Sequence, residues 1–440
     1  MTDHRTAAPP TAAASRATGP ESGPAQHAGL PRGTALTARD PGFRDHPDLV
    51  YDLLREHHPV YADPDYGRLL VTRYDDVREL LRHRGYSADA RHAAHNSYMR
   101  RVAGTGVSEG SGDTEYTPPL VLSDDPDHRR VRSLMSKAFT PRAVEKMHEP
   151  IRAVAAELLD AIGDHAEIDF IADFAGPLPT RIIAEMMGLD PRHADDLKRW
   201  SEAILRGYDP DRDAPVHRAL RDAYVAISRV FRDAVADRRE AVARNETRGD
   251  LISAMVRTRD EEDRLSDLEI ISLCTQLMVA GNVTTTDLMG NGLHALLAAP
   301  TELARLRADP ALIVPAVEEM LRFDCPITET ARIALADTTL RGCPVRRGDT
   351  LTLSMAAANH DPAVFAEPHR FVIDRPDNPH LGFGSGIHVC LGAPLARLEA
   401  QIGIAAFLAR FPRVRPGDQP ARRRDLPFFR GFESLPLRLA

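Results

Sequence analysis

The chain has 440 residues, 43% hydrophobic and 27% charged, a balance suited to a soluble globular protein long enough to bury a core around a large cofactor. A net charge of −8 argues against a nucleic-acid partner, which would call for a basic footprint. Its four cysteines, Cys274, Cys325, Cys343 and Cys390, form no C-x-x-C pair, which disfavours a disulfide scaffold or structural zinc and fits a reducing cytoplasm.

Residues 1–34 mix Ala, Pro, Gly and Ser without an apolar stretch, so they read as a disordered tail with no signal-peptide core; 35–440 form the main domain. No later run approaches the roughly 20 apolar residues that cross a bilayer. Apolar residues three or four apart predict helices over 47–57, 74–84, 143–162, 218–244 and 316–323. Alternation at 68–74, 338–342 and 349–355 predicts strands, and the Gly-, Ser- and Thr-rich segment 103–119 reads as a loop and mobile lid. Helices outnumber strands.

Between residues 265 and 300, Ser266 with Glu269 makes a capping box and Pro300 marks a stop, which predicts one helix of about nine turns. Its centre is weak by propensity: Ala280, Gly281 and Asn282 are followed by Val283, Thr284, Thr285 and Thr286. Threonine hydroxyls there bond back to carbonyls or to a ligand and open the helix locally.

The segment HLGFGSGIHVCLGAPLARLE, residues 380–399, sets Cys390 ahead of a helical pattern with Leu391, Leu395, Leu398 and Ile402 on one face, Pro394 falling in the first turn. A helix N-terminus favours thiolate over thiol. Gly384, Gly386 and Gly392 permit left-handed turns and close approach to a flat, bulky group whose face Phe383 covers. A haem iron with a thiolate axial ligand suits that arrangement. Three other readings stand beside it: an inert core cysteine, a dinucleotide loop at GFGSG, and a zinc site shared by His388 and Cys390.

Phe383, Gly384, Gly386, His388, Cys390 and Gly392 match F-G-x-G-x-H-x-C-x-G, and on that motif residues from about 40 to 440 resemble the bacterial cytochrome P450 family. The resemblance implies a mainly α, triangular helical haem domain with a small β lobe, and haem b ligated by Cys390. Glu319 and Arg322, one turn apart, with Arg375 resemble the family's Glu-Arg-Arg structural triad. His128 and Arg132 share a helix face and, with Arg332 and His380, resemble the contacts to the haem propionates.

Ala280, Gly281 and Thr284 match A-G-x-acid-T, but Val283 stands where the family has an acid that helps deliver protons; valine exchanges none. Asp287 lies one turn on and about 40° around the helix from that position. Family position puts the loop 85–119, the helix pair around 165–215, Met278, Val279, Asn282, Val283, Ile327, Thr328, Phe432 and Glu433 at the substrate pocket.

The implied activity is insertion of one oxygen atom from O2 into a small or medium organic substrate, with natural-product tailoring the expected setting. A separate ferredoxin and ferredoxin reductase would supply electrons to a monomer, with Arg129, Arg130 and Arg132 offering a basic docking patch. The lost acid leaves oxidative coupling, peroxide-driven chemistry, or a haem-thiolate protein that binds without turnover as alternatives.

Overall fold

In this computed structural model, which describes residues 29–103, 119–136, 139–246, 248–257 and 265–439, the longest helix starts where the capping pair places it. The Ser266 hydroxyl accepts from the Glu269 N–H at 3.2 Å, and the Glu269 carboxylate accepts from the Ser266 N–H at 2.8 Å. The helix runs Asp267–Ala298 and Pro300 opens the next one. It is buried along most of its length, so it forms the axis of the core. The Thr-rich centre does not open it: Thr284 and Thr286 donate to the carbonyls of Ala280 (2.5 Å) and Asn282 (3.0 Å), and the helix continues unbroken.

Onto this central helix pack Pro177–Met186, Ala194–Arg206, Ala214–Ala243, Ile313–Phe323 and Ala393–Arg410. The first segment with strong helical spacing forms Pro47–His57, and 74–84 forms Tyr74–Arg82. The run 143–162 divides at Lys146 and Met147 into Pro141–Glu145 and His148–Ile162, because Thr140 caps a separate short turn.

The largest sheet has five strands in the order Val60–Asp63, Arg68–Val71, Thr350–Ser354, Glu329–Ala334 and Tyr86–Ser87. Only Arg68–Val71 and Thr350–Ser354 pair in parallel. Arg68 is buried in it and is neutralised by Asp63 at 3.1 Å and Glu329 at 2.9 Å. The strand Glu329–Ala334 follows the helix Ile313–Phe323 and carries Arg332 inward.

Arg32–Ala440 makes one unit, distinct from Met1–Pro31. The expected tail falls outside the described residues up to 28; its last two positions, Gly33 and Thr34, open a 3₁₀ turn that runs to Leu36, with the Gly33 N–H donating to Asp63 at 3.0 Å. The expected lid lies outside the described residues except at its two ends, Ala103 and Pro119. Among the described residues, no helix is long and apolar enough to cross a membrane.

Candidate functional site

Two left-handed residues fold the segment before Cys390. Gly384 has φ +70° and Gly386 φ +75°; a side chain at 386 would also put its Cβ 2.7 Å from the Leu81 carbonyl, so only glycine fits. Gly392 differs from expectation: at φ −82° it is an ordinary N-cap to the helix Ala393–Arg410. The Cys390 N–H donates to the Phe383 carbonyl at 2.9 Å and closes the loop.

Cys390 lies deep in the protein, yet its side chain is exposed, so it borders an internal space rather than packed core. Burial raises its thiol pKa, against the pull of the Gly392 and Ala393 N–H groups, Arg132 and Arg397. The helix terminus alone therefore does not produce the expected thiolate; that requires a positive partner nearer than the arginines.

Beside the cysteine loop lie four cationic or potentially cationic side chains. Arg132 donates to the Val389 carbonyl at 2.7 Å, and the rings of His128 and His388 stand 4.4 Å apart. Burial, with Arg332, His128 and Arg132 close by, pushes His388 down to about 3. Arg332 is 5% exposed, and burial lowers it to about 10. Its one side-chain hydrogen bond described here is to the neighbouring Ala331 carbonyl. The only carboxylate within ion-pair distance of the group, among the described residues, is Asp125, 3.7 Å from His128. The buried His128 Nε2 has no partner.

His380 stands apart from this nest. Its Nε2 is 3.0 Å from Glu318, which Arg397 also grips at 2.7 and 2.8 Å while its guanidinium lies 4.6 Å from the centre of the Phe383 ring. His380 thus pairs with Glu318 beside the aromatic of the loop, and it is the His388 ring that meets His128. One position along the same helix, Glu319 takes Arg322 at 2.7 and 2.8 Å and Arg375 at 3.1 Å, with the Val372 N–H and Asn378 filling its remaining acceptor sites.

On the central helix Ala280 is exposed and Gly281 and Thr284 half-buried, while most neighbours are buried. Asn282 does not face that opening: it is 1% exposed and meets Thr180 at 2.8 Å, because two residues of helix turn it about 200° from Ala280. Met278, Val279 and Val283 are core residues. Phe432 is likewise core, 4.9 Å from His294 and capped by Arg423 at 4.3 Å. Thr328 is buried and borders a small cavity with Tyr51 and Arg424, leaving Ile327 half-buried. Phe428, also half-buried, pairs with Tyr208 at 6.1 Å; the sequence carries no spacing signal for it.

Two buried acids flank this helix. Glu399, two turns beyond Cys390, is within hydrogen-bond reach of Thr285, and burial raises it to about 8. Asp287 is fully buried, 3.1 Å from Arg424.

Comparison with known proteins agrees with this geometry. The family model Cytochrome P450 matches residues 210–432. The chain is 35% identical over 408 residues to the polyketide biosynthesis cytochrome P450 PksS of Bacillus subtilis, covering 90% of this chain and 97% of that protein. It is 36% identical over 396 residues to 6-deoxyerythronolide B hydroxylase of Saccharopolyspora erythraea, covering 89% and 95%. A solved structure of P450BioI in complex with hexadec-9Z-enoic acid ligated acyl carrier protein superposes with TM-score 0.80 at 32% identity, covering 91% of this chain and all of that one. The chain belongs to the cytochrome P450 family and is a P450 monooxygenase.

Proposed function

We propose that this enzyme holds haem b at Cys390 and inserts one oxygen atom into an apolar or partly polar secondary metabolite, with electrons from a separate ferredoxin and its reductase. The observation that carries the reading is an open cysteine sulfur beside the buried Arg332 and the half-buried Arg132, neither with a carboxylate within ion-pair distance among the described residues, and two histidines that burial holds toward the neutral form. Buried cations without counter-charge are costly, and a pair of propionates supplies what the nest lacks. The orphaned His128 Nε2, and Arg332 with no carboxylate within ion-pair distance among the described residues, fit the group on chemical grounds.

Cys390 would ligate the iron; His128, Arg132, Arg332 and His388 would take the propionates; Phe383 and Gly384 would shape the cysteine side. When bound, the haem would supply dioxygen activation, with the Cys390 thiolate as its electron-donating ligand. The protein's own share is positional. Arg132 ties the helix Asp127–Ser136 to the cysteine loop, and Thr284 offers a hydroxyl able to hold water or pass a proton. Ile327 and Phe428 supply apolar surface for the substrate. The relatives named for polyketide and macrolide tailoring support that substrate class.

The decisive measurement is the carbon-monoxide difference spectrum of the reduced protein. Wild type gives the red-shifted band of thiolate ligation and Cys390→Ser loses it; an unaltered spectrum in the variant overturns the assignment. Screening metabolites for a low-spin to high-spin shift then identifies the substrate.

A further inference from the structure

Val283 leaves the central helix without its usual acid, but the same stripe carries another one turn on. Asp287 is fully buried, and its Oδ2 has no hydrogen-bond partner. Its Oδ1 accepts from the Arg424 Nε at 3.1 Å, and Arg424 reaches Glu202, 42% exposed, at 3.7 Å. A Cβ at Gly431 would fall 2.0 Å from Asp287 Oδ1, so the loop closes over the carboxyl only because 431 is glycine. Residues three apart on a helix have Cβ atoms about 5–6 Å apart, so Asp287 and Thr284 are neighbours on the helix surface.

We infer that Asp287 is the relocated acid of this enzyme: it passes its carboxyl proton through water to the Thr284 hydroxyl, and regains one from solvent along the Arg424–Glu202 edge. No electron moves in this step; the carboxyl becomes carboxylate as one proton leaves, and bulk water restores it. Asp287 acts through Thr284 and is a positioning residue. The charged groups facing it are Arg424 and Arg423 from the C-terminal segment and Glu202 from the helix Ala194–Arg206. Burial pushes it up to about 7 against the pull of Arg424, so near neutral pH it exchanges between acid and carboxylate. Glu399 sits on the Thr285 side, about 100° around the helix from Thr284, without a charged link to the surface.

The inference rests on the monooxygenase reading, and its test is separate. The haem-loaded protein is labelled with ¹³C-aspartate and titrated by infrared difference spectroscopy. A labelled carboxylic-acid band disappearing between pH 6 and 8 is expected, lost in Asp287→Asn and kept in Glu399→Gln; no such band in wild type overturns the inference whether or not the variant folds. In parallel, the substrate-free protein is turned over with a bacterial ferredoxin and NADPH-dependent reductase, and the electrons recovered in hydrogen peroxide are counted against pH. Asp287→Asn raises the peroxide share at least threefold below pH 7 and flattens its pH profile, and Val283→Glu in that background restores it. An unchanged profile with an intact carbon-monoxide spectrum overturns Asp287 alone and leaves the haem assignment standing.

Discussion

Two arginine-bearing clusters flank the cysteine loop and differ in one respect. Around Glu319 both guanidiniums have a carboxylate: Arg322 and Arg375 share it, and their remaining N–H groups reach the carbonyls of Asn359, Ala366, Pro368 and Arg370. Around His388, Arg132 and Arg332 lack an acid within ion-pair distance among the described residues. A satisfied buried cluster holds backbone segments in place, whereas an unsatisfied one is a receptor for a counter-charge. Because Glu319 and Arg332 lie only 13 residues apart in the chain, the contrast separates what the fold needs for itself from what it reserves for a ligand.

The contrast breaks most sharply at the first cluster. Glu319→Gln leaves two buried guanidiniums short of charge and is expected to cost about 3–5 kcal/mol, enough to remove most folded protein. Urea unfolding of apoprotein measures it, and a loss below 1 kcal/mol would put the clusters on an equal footing. Next in size, Arg332→Met removes a buried cation that has no carboxylate within ion-pair distance among the described residues. Apoprotein stability holds or rises, while haem retention falls by roughly ten- to a hundredfold, the equivalent of about 1.5–3 kcal/mol for a charged hydrogen bond. Transfer of haem to an acceptor globin follows it; an apoprotein destabilised as much as Glu319→Gln would show Arg332 to be structural.

A smaller effect comes from Glu318. Burial favours its protonated form, but His380 and Arg397 overcome that and bring its pKa from 4.5 to about 2. The folded state thus prefers the carboxylate, so this stabilisation is complete above about pH 4.5 and is lost as pH falls toward 2. Glu318→Gln flattens that stretch of the stability curve; an unchanged acid slope would mean that His380 and Arg397 do not depend on this carboxylate. Smallest of all, Arg129→Ala changes stability by less than about 1 kcal/mol, since its side chain is 73% exposed at 3.4 Å from Asp125. The same variant slows electron transfer from an acidic ferredoxin if this face docks it, as stopped-flow reduction at two salt concentrations would show.

The relation of sequence to site follows from the range of the forces involved. Short-range signals were legible: the Ser266–Glu269 box placed the central helix, glycines at 384 and 386 marked left-handed turns, and Glu319 with Arg322 fell one turn apart. Signals that depend on a distant partner were not. His380 and His388 are both histidines near one cysteine, and only the packing of Glu318 and Arg397 on one side and His128 on the other assigns them. Asn282 and Phe432 read as pocket residues until helix rotation and the C-terminal segment turned them into core.

By itself the sequence determined the left-handed turns of the cysteine loop, the central helix and the mainly helical plan, because capping, periodicity and glycine conformation act over a few residues. Tertiary structure alone decided which cations go unpaired, that burial outweighs the helix terminus at Cys390, and that Asp287 is enclosed beneath Gly431. Those outcomes depend on desolvation and on partners brought from as far as 257 residues away, and no local pattern records them.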